Sequence, residues 1–196
     1  MQIEFYFDVG SPTAYLAYRR LQQLKNNFDL ELLNRPMLLG GVFKAAGNSS
    51  PVAVPAKARY MLEEDLPRFA SRYDVALNFN PHFPVNTLNL MRGVFAARQL
   101  ACEETYLEAV FTGTWIEGRA MGDAEVVNDV LLAAGVDSSA IAELSSQPAV
   151  KQQLIDATEA AVARGVFGAP TLFVGNAMFF GQDRLDFVEQ LLAEAA

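Results

Sequence analysis

The sequence predicts an α/β fold in which a βαβ unit comes first, a long helical block follows and an αββα unit closes the chain. Three observations carry that reading. The run Ile3–Val9 is aromatic and β-branched, which favours a strand, and Gly10-Ser11-Pro12 then turns into a helix. Residues 36–147 place apolar side chains at helical spacing and hold no strong strand. Near the end, Leu172-Phe173-Val174 and Met178-Phe179-Phe180 flank Gly175-Asn176, a good hairpin signal.

Taken in order, the first strand is followed by Ala14, Tyr18, Leu21 and Leu24 at helical spacing, with Arg19, Arg20, Gln22, Gln23 and Lys25 on the other face. That helix ends near Asn26-Asn27. Leu30, Leu32 and Leu33 mark a second strand, stopped by Pro36, and the crossover between the strands should be right-handed. Gly40-Gly41 opens a new regime, and residues 47–55 are a loop by composition. A helix is predicted from Ala56 to about Tyr73. The stretch Asn78–Asn86 is irregular. Thr87 caps a helix that runs towards Leu100, and another covers 103–113. Asp123 caps a further helix, which Gly135 stops. Pro148 starts one that ends near Gly165, and Gly181-Gln182-Asp183-Arg184 leads into the last helix, with Leu185, Val188, Leu191 and Leu192 on one face.

Composition narrows the function. At 196 residues the chain suits one domain, or one domain with a large insertion. Hydrophobic residues at 52% and charged residues at 19% leave ample core material. Fourteen Phe, six Tyr and one Trp are enough to line a pocket as well as fill a core. A net charge of −8 without basic clusters argues against nucleic acid and anionic membrane as partners, yet permits a local basic pocket for a small anion. The lone Cys102 excludes an internal disulfide and a C-x-x-C site, and a single His argues against a His-based metal cluster, so no metal site is predicted. With neither a charged-then-apolar leader nor an apolar run of membrane length, the expectation is a cytoplasmic protein.

The stretch Phe5–Tyr18 carries the most chemistry. Ser11 is a good N-cap, and Pro12 sits at the first helical position, where its missing N–H costs nothing. A hydroxyl is thereby placed at the positive end of a helix, a site for a phosphate, carboxylate or thiolate. On these residues alone, the reading of Ser11 as a simple cap prevails.

Four segments resemble one family. Phe5-Tyr6-Phe7-Asp8 with Ser11-Pro12-Thr13-Ala14-Tyr15-Leu16 resembles the active-site turn of DsbA-like thioredoxin folds, with Ser11 where a redox member has its first cysteine and Ala14 where it has its second. Gly168-Ala169-Pro170-Thr171 resembles the cis-proline loop that faces that turn. Asn48 through Pro55-Ala56-Lys57 resembles a glutathione-contacting segment. Asn80–Arg92, including His82 and Asn86, resembles the 2-hydroxychromene-2-carboxylate isomerases, relatives of the kappa-class glutathione transferases, and Gly181–Leu185 agrees with it. Val9-Gly10 is smaller than the family's bulky residues before the serine, and Gln182 stands where asparagine or serine is common.

The resemblance implies a thioredoxin-like fold with a large all-helical insertion between the βαβ and αββα halves. Residues 1–35 and 148–196 would form the discontinuous thioredoxin-like domain, and 36–147 the insertion. It implies a homodimer that uses glutathione to isomerise a small aromatic carboxylate. The turn has no cysteine, so the sulfur would come from glutathione, its thiolate held by Ser11 and the helix terminus. The thiolate would add to the conjugated substrate, the former double bond would rotate, and the sulfur would leave.

The same resemblance assigns the remaining roles. Ala169 and Pro170 would pair with the cysteinyl backbone, and Asn48 and Gln182 would bond glutathione. Asp183 would meet its amine or cap the last helix. Lys57 would meet a carboxylate or remain an exposed helix lysine. His82, Asn86 and Arg92 are the candidates for the second substrate, against ordinary loop, capping and surface roles. Trp115 is either pocket wall or core, and Cys102 is read as buried helix packing. The alternatives are a kappa-type transferase that releases the adduct and a non-enzymatic DsbA-like binding protein.

Overall fold

The computed structural model describes residues 1–195. The opening unit is β1 (Gln2–Phe7), α1 (Pro12–Asn27) and β2 (Glu31–Pro36). The helical block holds α2 (Leu39–Ala46), α3 (Pro55–Tyr60), α4 (Leu66–Arg72), α5 (Leu88–Gln99), α6 (Glu103–Trp115), α7 (Ala124–Ala133) and α8 (Ser138–Ser146). Then α9 (Pro148–Ala163) leads back to the hairpin β3 (Thr171–Val174) and β4 (Ala177–Phe180), and α10 (Leu185–Glu194) closes the chain.

The sheet order is β2-β1-β3-β4, with β1 parallel to β2 and antiparallel to β3. Side chains alternate across a strand, so β1 serves both faces. Ile3, Phe5 and Phe7 point into the main core, where the Phe5 and Phe7 rings stack at 5.0 Å. Tyr6 points the other way, into a smaller cluster with Met37, Val42 and Phe173. The main core continues without a break from the sheet through Leu16 and Leu21 of α1 to Phe111 and Trp115 of α6 and Leu131 of α7. Each fully buried aromatic or leucine side chain contributes about 1.5–3 kcal/mol. No helix among the described residues is long and apolar enough to cross a membrane.

Departures from the predicted elements have local causes. The single helix predicted over 56–73 is α3, a π-helical turn at Met61–Asp65, and α4. Pro67 lies two residues past that turn; its missing N–H removes a helical hydrogen bond, and the wider turn absorbs the gap. The helix α2 was not predicted, because its capping partners are remote in sequence. Leu38 N–H donates to Thr158 Oγ1 at 3.0 Å, and Leu39 N–H donates to Asp8 Oδ2 at 2.8 Å. The other unpredicted helix, α8, does carry a local signal: Asp137 accepts from Ala140 N–H at 3.0 Å.

Two smaller expectations are corrected. Cys102 is half-buried and precedes α6 rather than packing inside a helix. At the head of α5, the hydroxyl of Thr87 turns away to Asp8, and Asn86 Oδ1 accepts from Leu88 N–H at 3.1 Å instead.

Candidate active site

The site is built on the turn between β1 and α1. Ser11 is extended (φ −95, ψ 116), and its Oγ accepts from Ala14 N–H at 3.1 Å, as an N-cap should. Its own N–H donates to Asp8 O at 3.0 Å. Beneath the turn lies the Asp8 carboxylate, 2% exposed. It accepts from Gly10 N–H at 2.9 Å, Leu39 N–H at 2.8 Å and Thr87 Oγ1 at 3.1 Å. One buried side chain therefore ties the turn to α2 and to the head of α5. Burial pushes the Asp8 carboxyl up from the ordinary range, opposed by those three hydrogen bonds. Trp115 is core rather than pocket wall, and its Nε1 donates to Val9 O at 2.8 Å, fixing the floor of the turn. The small residue at 10 is matched by Thr87: a Cβ on Gly10 would lie 2.7 Å from Thr87 Cγ2.

Across from Ser11 lies the Ala169–Pro170 peptide, which is cis. Ala169 O accepts from Thr13 Oγ1 at 3.1 Å and lies 3.4 Å from Ser11 Oγ. The two hydroxyls are 2.9 Å apart. With Thr13 donating its one proton to Ala169 O, Ser11 is the donor in the 2.9 Å contact, and its proton rests on Thr13 Oγ1 until a stronger acceptor enters the cleft. Ala169 N–H has no acceptor among the described residues. The cleft is about 330 Å³ and runs between these groups. One wall is Asn48–Val52 with Phe43, another is Gly181–Arg184 with Asp65, and Met61 and Phe83 add apolar surface.

The predicted residues divide into two groups. Ser11, Asn48, Ala169, Gln182 and Asp183 line this one cleft, and Pro170 follows Ala169 in the facing loop. Asn48 Nδ2 donates to Phe167 O at 2.9 Å, so its side chain anchors the loop wall. Gln182 is buried and its Nε2 reaches Asp65 Oδ2 at 3.2 Å. Asp183 makes no capping bond; it begins a short 3-10 turn, Gln182–Arg184, and pairs with Arg184 at 2.5 Å.

The others lie outside the cleft lining. Lys57 is exposed on α3, and the cation on the cleft is Arg184. His82 is exposed, its N–H held by Asn80 Oδ1 at 2.7 Å. Asn86 and Arg92 border a different cavity with α7 and α8. His82, Asn86 and Arg92 thus share a sequence segment without converging on Ser11. Thr13, Asp8 and Asp65 were the residues missed. Thr13 stands two residues from Ser11, but only the fold brings it against Ala169.

The family model described as a DSBA-like thioredoxin domain matches residues 2–193. A 2-hydroxychromene-2-carboxylate isomerase of Pseudomonas putida is 33% identical over 193 residues, covering 98% of this chain and 94% of the relative. The enzyme of that name from Sphingobium xenophagum is 34% identical, with 98% of each chain covered. The chain belongs to the 2-hydroxychromene-2-carboxylate isomerase family. A solved structure of such an isomerase superposes with a TM-score of 0.90 at 32% identity, covering all of this chain and 96% of the other. Rat glutathione S-transferase kappa 1 is also similar, 28% identical over 98% of this chain and 91% of its own. The DsbA-like thioredoxin architecture expected from the turn and the proline loop is therefore the family's own.

Proposed function

We propose that the chain is a glutathione-dependent isomerase that converts 2-hydroxychromene-2-carboxylate, or a similar aromatic catabolite, to the open-chain trans-o-hydroxybenzylidenepyruvate. The observation that carries the reading is the Ser11 hydroxyl at the head of α1, facing the Ala169 backbone across a cleft with no cysteine in its turn. The residues present fit glutathione. The acceptor-less Ala169 N–H and its carbonyl form a peptide-pairing edge for an extended tripeptide. Asp65, Gln182 and Asp183 suit an ammonium group, while Asn48 and the Ser49-Ser50 wall offer polar partners for the rest. When bound, glutathione supplies a thiolate nucleophile for reversible addition to a conjugated double bond.

The chain's own part is to hold and orient. Ser11 donates its O–H towards sulfur, and the α1 dipole adds a positive field at the same point. Thr13 Oγ1 holds the Ser11 proton at 2.9 Å and gives it up to a charged acceptor in the cleft. Phe43, Met61 and Phe83 offer an apolar face to an aromatic substrate.

Ser11→Ala tests this. Turnover should fall by about 10²- to 10³-fold, as when one aligned donor to a developing anion is removed. Unchanged turnover in the variant, or wild-type turnover in a preparation freed of glutathione, would sink the proposal. A second reading rests on the kappa transferase relatives: conjugation of an electrophile using the same thiolate. Product mass separates the two, since isomerisation leaves mass unchanged and conjugation adds glutathione. Failure of glutathione to raise the melting temperature would favour a non-enzymatic binding role.

A further inference from the structure

The helix α2 has two working faces. Leu39 and Phe43 border the Ser11 cleft, while Leu38, Gly41 and Ala45 border a separate groove of about 480 Å³ against α9 and the head of α5. The walls of that groove are mainly apolar: Leu38, Leu88, Leu154, Ile155 and Val162. Ile155 is 47% exposed there.

Two cations, Arg92 and Lys151, also line it. Both are half-buried, and neither makes an ion pair among the described residues. Arg92 has only a long 3.4 Å contact to Asn89 Oδ1, and its Nε is sealed from solvent with no acceptor. In a chain of net charge −8, two cations on one groove without carboxylate partners are out of pattern. The one acid bordering the groove is Glu159, which is exposed on α9.

We propose that this groove binds an amphipathic monocarboxylate, with the apolar body between α2 and α9 and the carboxylate on Arg92 and Lys151. The size suits a small ligand. A carboxylate offers the bidentate acceptor that a guanidinium lacks here. The site is distinct from the Ser11 cleft and does not depend on the glutathione reading.

The probe is sodium dodecanoate below its micellar concentration, titrated calorimetrically into the full chain without glutathione, with dodecan-1-ol as the neutral control. Saturable binding to one site per chain is expected, with the alcohol markedly weaker. Arg92→Met and Lys151→Met should each weaken binding about tenfold, the loss of one charge-assisted contact. Ile155→Asp, at an exposed position, should abolish it without loss of fold by circular dichroism. No saturable binding, equal affinity for acid and alcohol, or unchanged affinity in both cation variants would overturn the proposal. So would competitive displacement by glutathione, which would place the probe in the Ser11 cleft. If Ile155→Asp instead dissociates a dimer whose wild-type form takes up no dodecanoate, the groove is an interface between copies, and the proposal falls.

Discussion

Ser11 has two tasks, and they are separable by measurement. As the N-cap of α1 its Oγ accepts from Ala14 N–H, so Ser11→Ala should cost about 1 kcal/mol of stability, read by urea denaturation. As a donor towards sulfur its proton must turn away from Thr13 Oγ1, the neutral hydroxyl that holds it at 2.9 Å while Thr13 donates to Ala169 O. Thr13→Val takes that hydroxyl away and leaves Ala169 O, a stronger acceptor, to hold the Ser11 proton, so turnover should fall about tenfold, the worth of one hydrogen bond to a charged group. Stability should barely change. A Thr13→Val enzyme with full turnover would show that Thr13 only fills space. The cap was legible in the sequence, because Ser-Pro before an apolar-periodic run is a local signal. The pairing of Thr13 with Ala169 was not, since 156 residues separate the two partners.

At the scale of elements, Asp8 is the junction: one carboxylate holds the turn, the first residue of α2 and the head of α5. Burial raises its pKa above the ordinary 3.8. Between that value and the raised one, the folded chain holds more protons than the unfolded chain. The Asp8 contribution to stability therefore falls as pH rises through that window. Asp8→Asn removes the titration. The stability of wild type minus that of Asp8→Asn should decrease from acid towards neutral pH, measured as urea midpoints at a series of pH values. An increase over the same window would mean that the hydrogen bonds outweigh burial.

The same junction explains which elements could be read in advance. Strands, α1, α5, α7 and α9 announce themselves by periodicity with caps close in sequence. The helix α2 begins with Leu38-Leu39-Gly40-Gly41 and is capped by side chains at 8 and 158, so nothing local marks it. For the same reason, the segment holding His82, Asn86 and Arg92 could be matched to a family while the directions of its side chains could not. Asn80 holds the loop by donating to Thr114 O and Arg119 O, both at 2.9 Å, and those partners are visible only in the fold.

Over the whole molecule, one core joins the sheet to the helical block, so the residues between β2 and α9 also build the site. They supply Asn48, Asp65 and Phe83 to the cleft, while the flanking halves supply Ser11, Ala169 and Gln182. The central claim is that this assembly holds a borrowed sulfur as its thiolate. It is tested most directly by following the ultraviolet absorbance of thiolate across pH, with glutathione held saturating on wild type and on Ser11→Ala. The account predicts a thiol pKa below neutrality for glutathione bound to wild type, returning towards the free cysteine-like value of about 8.5 in the variant. The same pKa in both proteins would contradict it.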